Sequence, residues 1–394
     1  MQAMIEQILH YFMFNELEIA GIAFFSLLFL IQIFFYFNYY RKPYSVACKR
    51  EKNSNKPFCR KPKVSVIIAS ENAADELAEN LPVILTQDYP DFEVIVVNNG
   101  STDESETLLQ SLQLKHPHLY ITYLPYSNDI TFGRRKLALT IGIKAAKGEV
   151  LLFTEPYSKP VSDQWISSMM EELPDGKDVV LGYSFYSRTK TFFNRIARFD
   201  NHLFSMQYIS MALKSRPFTG IYRNLAFRKH LFFDNKGFAA FLNLENGEDV
   251  FINQIITDTN TSVALSSDSF MESSNDRFSL WKQVKKSYSI TKKYFKRKTP
   301  INLFALEAAT RYLFYLMLVA LVVYSAIFFH WTLLGITVFL FMFRLVVQLI
   351  IINKSTQYFR SGKFHSSLIL MDFLQPFYNF RFKTSHKNRA TGRR

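Results

Sequence analysis

Apolar positions along the chain follow two different rhythms. Three stretches are apolar almost without a break: residues 19–40, 309–329 and 331–352. Each is about as long as the ~20 residues that cross a hydrocarbon core, so each predicts a transmembrane helix. Gln32 is the main polar interruption of the first stretch, and Arg344 interrupts the third. An arginine there must snorkel, pair or face protein rather than lipid. Only a His330-Trp331 corner separates the second and third stretches, so they read as a helical hairpin. Two shorter helices on the membrane surface are the competing reading of that region. The first stretch follows acidic Glu16 and Glu18 and precedes no small-residue cleavage site, unlike a secretory signal peptide.

Between these stretches the rhythm is shorter. Lys63–Ala69, Phe92–Val97, Leu119–Pro125 and Val150–Phe153 are brief runs that predict strands, the first two and the last plainly apolar. Glu76–Thr86, Glu104–His116 and Lys136–Ala146 predict helices between them. Strands alternating with helices of ~10 residues define βαβ units and a mostly parallel sheet. Ligands in such sheets bind beyond the carboxyl ends of the strands. Those ends fall here in polar loops at Ser70–Asn72, Asn98–Ser101 and Glu155–Ser158. Residues 163–299 are less regular. Gly362–Phe382 is amphipathic and aromatic, with Asp372 and Pro376 inside, and reads as an interfacial or re-entrant element packed against the hairpin.

Composition supports the membrane reading. Hydrophobic residues make up 48% of the chain and aromatics 16%, and the excess gathers at the ends. The formal charge of +14 would direct attention to nucleic acid in a bare soluble domain. Here Lys and Arg lie beside the apolar stretches, where they face anionic headgroups, so no nucleic-acid partner is expected and membrane lipids are. Nine Lys/Arg and one Glu fill 41–63, whereas the first 18 residues hold neither Lys nor Arg. The positive-inside rule then places the short N-terminus (1–18) outside. It places the basic linker (41–62), the globular domain (63–299) and the basic tail within 353–394 in the cytoplasm, at an inner, multi-pass membrane. Cys48 and Cys59 make neither a disulfide framework nor a zinc site.

Neither a Walker loop nor GxGxxG follows the first strand, which excludes a P-loop ATPase and a dinucleotide dehydrogenase. Gly133-Arg134-Arg135-Lys136 is a basic loop opening a helix. It could meet a diphosphate, or be a solvated turn. Gly247-Glu248-Asp249 opens an apolar helix. Its acids could cap that helix or supply a general base, and the pattern leaves both open.

Taken in order, VSVIIA, QDYPDFEVIVVNNGSTD, GRRKLALTIGIKAAKGEVLLFTEPYSKP, TGIYRNLAFRK, LFFDNKGF and GEDVFI resemble a membrane-anchored family 2 glycosyltransferase with the GT-A fold. The resemblance covers about 63–299. It implies a nucleotide-sugar-binding α/β domain with a mostly parallel central sheet, plus an N-terminal transmembrane helix and a C-terminal transmembrane hairpin. It implies that Ser70, Glu71, Asn72, Asn99 and Ser101 hold the nucleoside. Arg135 and Lys136 would lie near the diphosphate, with Gln283 and Lys286 in a later block, WKQVKKS, that also holds Trp281. Asp249 matches the catalytic base, beside Glu248, and 219–229 would shape the acceptor side. Glu155 and Tyr157 fall where the family's metal-binding acid pair belongs.

The departures define what to examine. Asn99 stands where an acid is common, and Tyr157 where the second metal-binding acid is expected. A phenol is a poor ligand for Mn²⁺ or Mg²⁺, which take hard oxygens, so the metal site is weakened. The basic loop could instead neutralise a leaving group. The resemblance thus implies an inverting, hexosyltransferase-type enzyme. It would move sugar from a nucleotide-sugar to a membrane-associated lipid or glycan acceptor, with cell-envelope glycan-assembly partners. A degenerate relative acting as an accessory or structural subunit of such a system is the alternative.

Overall fold

A computed structural model describes residues 14–52, 61–126, 133–242, 244, 247–274, 278–365 and 367–384. Cys59, the first 13 residues and the last ten of the basic tail lie outside the described residues. The chain divides into an apolar unit (1–42, 301–357, 362–394) and an α/β unit (43–300, 358–361).

In the α/β unit, β1 (Val64–Ser70), β2 (Phe92–Asn98), β3 (Leu119–Tyr123) and β4 (Val150–Thr154) form a parallel half-sheet in the order β3-β2-β1-β4. Every residue of β1 and β4 is buried, as expected of parallel strands covered on both faces. Register aligns the carboxyl ends: Ser70 pairs with Asn98, and Ile68 with Thr154. Strand order reverses between β1 and β4, and a crevice opens at such a switch point. The helix Ala74–Leu85 buries Leu77, Leu81, Ile84 and Leu85, one helical stripe, against this half.

The second half is built from short pieces: β5 (Ser158–Pro160), β6 (Val179–Leu181), β7 (Ser184–Tyr186), β8 (Leu225–Arg228), β9 (Thr261–Val263) and β10 (Met271–Ser273). β8 runs antiparallel between β4 and β6, and β9 pairs parallel with β6, so the sheet reads β3-β2-β1-β4-β8-β6-β9. A separate sheet has the order β5-β10-β7. The helix Phe192–Ala212, capped by Thr191 accepting from the Asn194 amide, is buried over most of its circumference.

The apolar unit holds helices Glu16–Phe35, Thr299–Ile327 and Trp331–Tyr358, each long and apolar enough to cross a membrane. Asn15 caps the first in a reciprocal box with Glu18, and a π-helical turn continues it through Tyr40. Phe25 stacks on Phe314 at 4.6 Å. Arg344 is fully buried and paired to Asp372 at 2.8 Å, with Tyr36, Gln32 and Tyr315 as further partners. Asp372 lies on the helix Ser367–Thr384 and also binds Arg311 at 2.9 Å; Arg311 in turn pairs with Glu307 at 3.2 Å.

Candidate active site

Glu155 is the first residue after β4, at the switch point, and only 5% of its surface is exposed. The helix Arg134–Ala145 starts nearby, and its second residue, Arg135, reaches Glu155. Nη1 of Arg135 donates to Oε2 at 3.1 Å, and Nη2 donates to Oε1 to complete a bidentate pair. Arg135 Nε also lies 3.4 Å from Oε1 of Glu248. Burial opposes the guanidinium's charge, but Glu155 and Glu248 outweigh it and hold the pKa above the ordinary value.

Glu248 and Asp249 open the helix Glu248–Ile255. Burial, opposed by Arg135, raises the Glu248 pKa, and neither of its oxygens accepts a hydrogen bond. Burial raises Asp249 to about 7, with Glu248 adding to the shift and Arg135 and Thr291 opposing it. A carboxylate poised there is matched to taking a proton at neutral pH. Gly247 admits the close approach of this turn, since a Cβ would lie 2.7 Å from Phe241 Cβ and 2.9 Å from its carbonyl.

These groups share one cavity of about 260 Å³. It gathers Arg135, Glu155, Tyr157, Glu248, Asp249 and Gln283 from the sequence-derived set. It adds Arg223 and Tyr222 from the 219–229 stretch, and Phe204 and Tyr288, which the sequence reading did not name. Phe204 comes from the long helix Phe192–Ala212. Tyr288 lies five residues beyond Gln283 on the helix Phe278–Thr291. Burial raises the pKa of the Tyr157, Tyr222 and Tyr288 phenols.

Ser70, Glu71, Asn72, Asn99 and Ser101 do not line this cavity but form a second cluster at the ends of β1 and β2. The Asn72 amide donates to Ser101 Oγ at 2.9 Å, and Asn99 donates to Glu71 at 2.7 Å. Gly100 takes φ +75° in this turn, where Arg134 donates to the Asn99 carbonyl at 3.2 Å. Ser70 Oγ and Asn99 Oδ1 are buried without a hydrogen-bond partner, a capacity a ligand could fill.

Three expected site positions have the following surroundings. Lys136, expected near the diphosphate, is 1% exposed, and its ammonium donates to the carbonyls of Phe241 and Leu242 at 2.9 and 3.1 Å and to that of Leu244. It holds the segment leading to Glu248 and Asp249. Lys286 does not line the cavity; its neighbour Lys285 pairs with Asp200 at 2.8 Å, as does the Trp281 indole at 3.2 Å. Glu155 and Tyr157, expected at a weakened Mn²⁺ or Mg²⁺ site, both line the cavity. Both Glu155 oxygens bind Arg135, Tyr157 keeps its proton, and no three His, Cys, Asp or Glu gather to hold an ion among the described residues. The side chains present do not fit a divalent cation.

Comparison with known proteins gives this geometry a class. The structure of the mannosyltransferase PcManGT from Pyrobaculum calidifontis, in complex with GDP-Man and Mn²⁺, superposes with a TM-score of 0.52 at 16% identity. The match covers 86% of this chain and 97% of that one, so the two share the GT-A-type α/β fold. Residues 65–241 match the family model described as Glycosyl transferase family 2. Residues 65–241 are therefore similar to a family 2 glycosyltransferase domain.

Among curated proteins, one from Bacillus subtilis (strain 168), provisionally named as the teichuronic acid biosynthesis glycosyltransferase TuaG, is 28% identical over 112 residues. The uncharacterized glycosyltransferase RP339 of Rickettsia prowazekii (strain Madrid E) is 41% identical over 88 residues. These matches cover 28% and 22% of this chain, and only 40% and 25% of the relatives.

Proposed function

We propose that this chain transfers a sugar from a nucleotide-sugar to a lipid-linked or glycan acceptor at the membrane, with inversion at the anomeric carbon. The observation that carries the reading is Asp249: a carboxyl group held near neutral pKa on the wall of a cavity that also holds basic groups. Asp249 takes the proton of an acceptor hydroxyl. That oxygen attacks the anomeric carbon, and the nucleoside diphosphate leaves on the opposite face. Ser70, Asn99 and their neighbours at the ends of β1 and β2 hold the nucleoside, which would satisfy the two orphaned oxygens there. Phe204, Tyr222 and Tyr288 supply apolar walls on which a sugar ring packs.

The three apolar helices keep the domain at a bilayer, and the basic residues beside the first of them favour the cytoplasmic face of an inner membrane. Three spans among the described residues suit a lipid-linked acceptor or modest chain assembly.

The test uses full-length protein in detergent with labelled UDP-sugars and GDP-sugars and a membrane-lipid extract. Asp249→Asn should lower transfer by ~10²–10⁴-fold, the usual worth of a general base, while nucleotide-sugar binding stays within twofold. Undiminished transfer by that variant sinks the assignment. If neither donor class binds the wild type, the accessory-subunit reading replaces this one.

A further inference from the structure

The place where metal chemistry was expected is filled by a guanidinium. We propose that, in the reaction above, Arg135 rather than a divalent cation meets the leaving diphosphate, with Arg223 as a second fixed positive charge. The proposal rests on the glycosyltransferase reading and adds the identity of the cation.

Four observations support it. First, Arg135 binds the very carboxylate, Glu155, that a metal would need, and binds it through both oxygens. A metal ion would have to share Glu155 with the guanidinium, whose positive charge opposes it. Second, the Arg135 side chain remains 36% exposed and lines the cavity. A guanidinium has more N–H donors than one bidentate pair consumes, and its planar fork matches phosphate oxygens. Third, Arg223 is only 8% exposed and lines the same cavity, yet its hydrogen-bond partners are neutral. It donates to Tyr186 Oη at 2.6 Å and to Asn201 Oδ1 at 2.8 Å, and its guanidinium lies over the Tyr186 ring. No carboxylate lies within ion-pair distance of it among the described residues. Buried charges are ordinarily paired, so this one is provided for an anion that arrives.

Fourth, the charges compensate. Tyr157 replaces an anion with a neutral phenol where the resemblance expects an acid, which removes one of the charges a divalent ion would balance. In the step itself, the acceptor oxygen forms its bond to the anomeric carbon as Asp249 receives the hydroxyl proton. The bond from that carbon to the diphosphate oxygen breaks, and the electron pair leaves with the nucleoside diphosphate. Its added negative charge develops beside Arg135.

The test uses full-length protein in detergent and three probes: Mn²⁺ alone, followed by electron paramagnetic resonance, and UDP and GDP, followed by calorimetry with EDTA or with Mn²⁺. The expected result is a free-ion Mn²⁺ spectrum and a nucleotide Kd that changes less than twofold between EDTA and Mn²⁺. Arg135→Ala should weaken nucleotide binding at least tenfold in EDTA, and Arg135→Lys, which keeps charge and loses the fork, should fall between. Nucleotide binding by the wild type that requires Mn²⁺ overturns the proposal, as does wild-type affinity in Arg135→Ala. The wild-type comparison decides alone if Arg135→Ala does not fold. Binding of neither nucleotide under either condition would instead remove the glycosyltransferase reading and this proposal together.

Discussion

Two buried clusters in this chain share their parts and finish differently. In the apolar unit, Asp372 has each oxygen occupied, one by Arg311 at 2.9 Å and the other by Arg344 at 2.8 Å and Tyr315 at 2.7 Å. Glu307 pairs with Arg311 and balances the remaining charge. In the α/β unit, Glu248 accepts no hydrogen bond, and Arg223 has no acidic partner within ion-pair distance among the described residues. In the first cluster every acid has a basic partner and the charges cancel, although Arg311 Nε and Arg344 Nε donate to nothing, and the cluster serves to join helices. The second stores hydrogen-bonding capacity that the fold itself does not use.

That contrast can be broken most sharply at Asp372. Asp372→Ala leaves two arginines without their shared counter-ion and should cost about 3–5 kcal/mol, seen as a lower unfolding temperature in detergent. The paired change Arg344→Met with Asp372→Leu should recover most of that loss, because well-packed apolar groups replace buried ion pairs at little cost. Nucleotide binding should be untouched in the paired variant. A loss of binding there would mean that the apolar cluster is not merely structural.

Glu248→Gln is the counterpart in the cavity. It loses the ion pair with Arg135 but relieves a buried charge, and Arg135 keeps its bidentate pair with Glu155, so stability should hold, whereas the pH profile should move. With the wild type, kcat/KM should rise about tenfold per pH unit up to about 7 and level above it, because Asp249 must be ionised to act. Glu248 is one of the groups that raises Asp249, so Glu248→Gln should move this limb to lower pH. A limb that stays in place would separate the two acids.

The smallest effect concerns Asp249 itself. Its folded pKa lies above that of a free aspartate, so the fold favours the neutral form. The stability this gives is present at low pH and is lost as pH rises through about 7. Asp249→Asn should therefore be more stable than wild type at pH 8 by on the order of 2 kcal/mol, after discounting its partial exposure, and no more stable at pH 4. Equal melting temperatures at both pH values would place Asp249 in water rather than in a desolvated site.

What could be read in advance, and what could not, follows from how each signal is made. β1, β2 and β4 are runs of apolar residues, many β-branched, buried on both faces, and such runs are visible in any window. The helix Phe192–Ala212 escaped because the residues it buries include Asn194, Arg198, Asp200, Asn201, His202 and Ser205. These polar residues interrupt the apolar stripe of Phe199, Leu203, Met206 and Ile209 that it also buries. Phe204 was missed with it.

The basic loop teaches a different limit. Successive helical residues point about 100° apart, so Arg134, Arg135 and Lys136 cannot share one direction. Arg134 turns to the Asn99-Gly100 turn, Arg135 to the cavity and Lys136 to the carbonyls of 241–244. Composition marked the triplet as chemically important, but only packing could sort its members. Likewise, Trp281, in the same block as the cavity residue Gln283, bonds Asp200 in the interior.

The position of Asp372 on the last described helix also bears on biogenesis. Arg311 and Arg344 are synthesised before it, so both arginines of the hairpin exist for a time without their shared counter-ion. Arg311 has Glu307 one helical turn away, and Arg344 has Gln348 at the same spacing, at 3.3 Å. These local partners would shelter the two charges until the final helix arrives. A chain truncated before residue 372 should therefore stall as a half-inserted hairpin open to quality-control proteases.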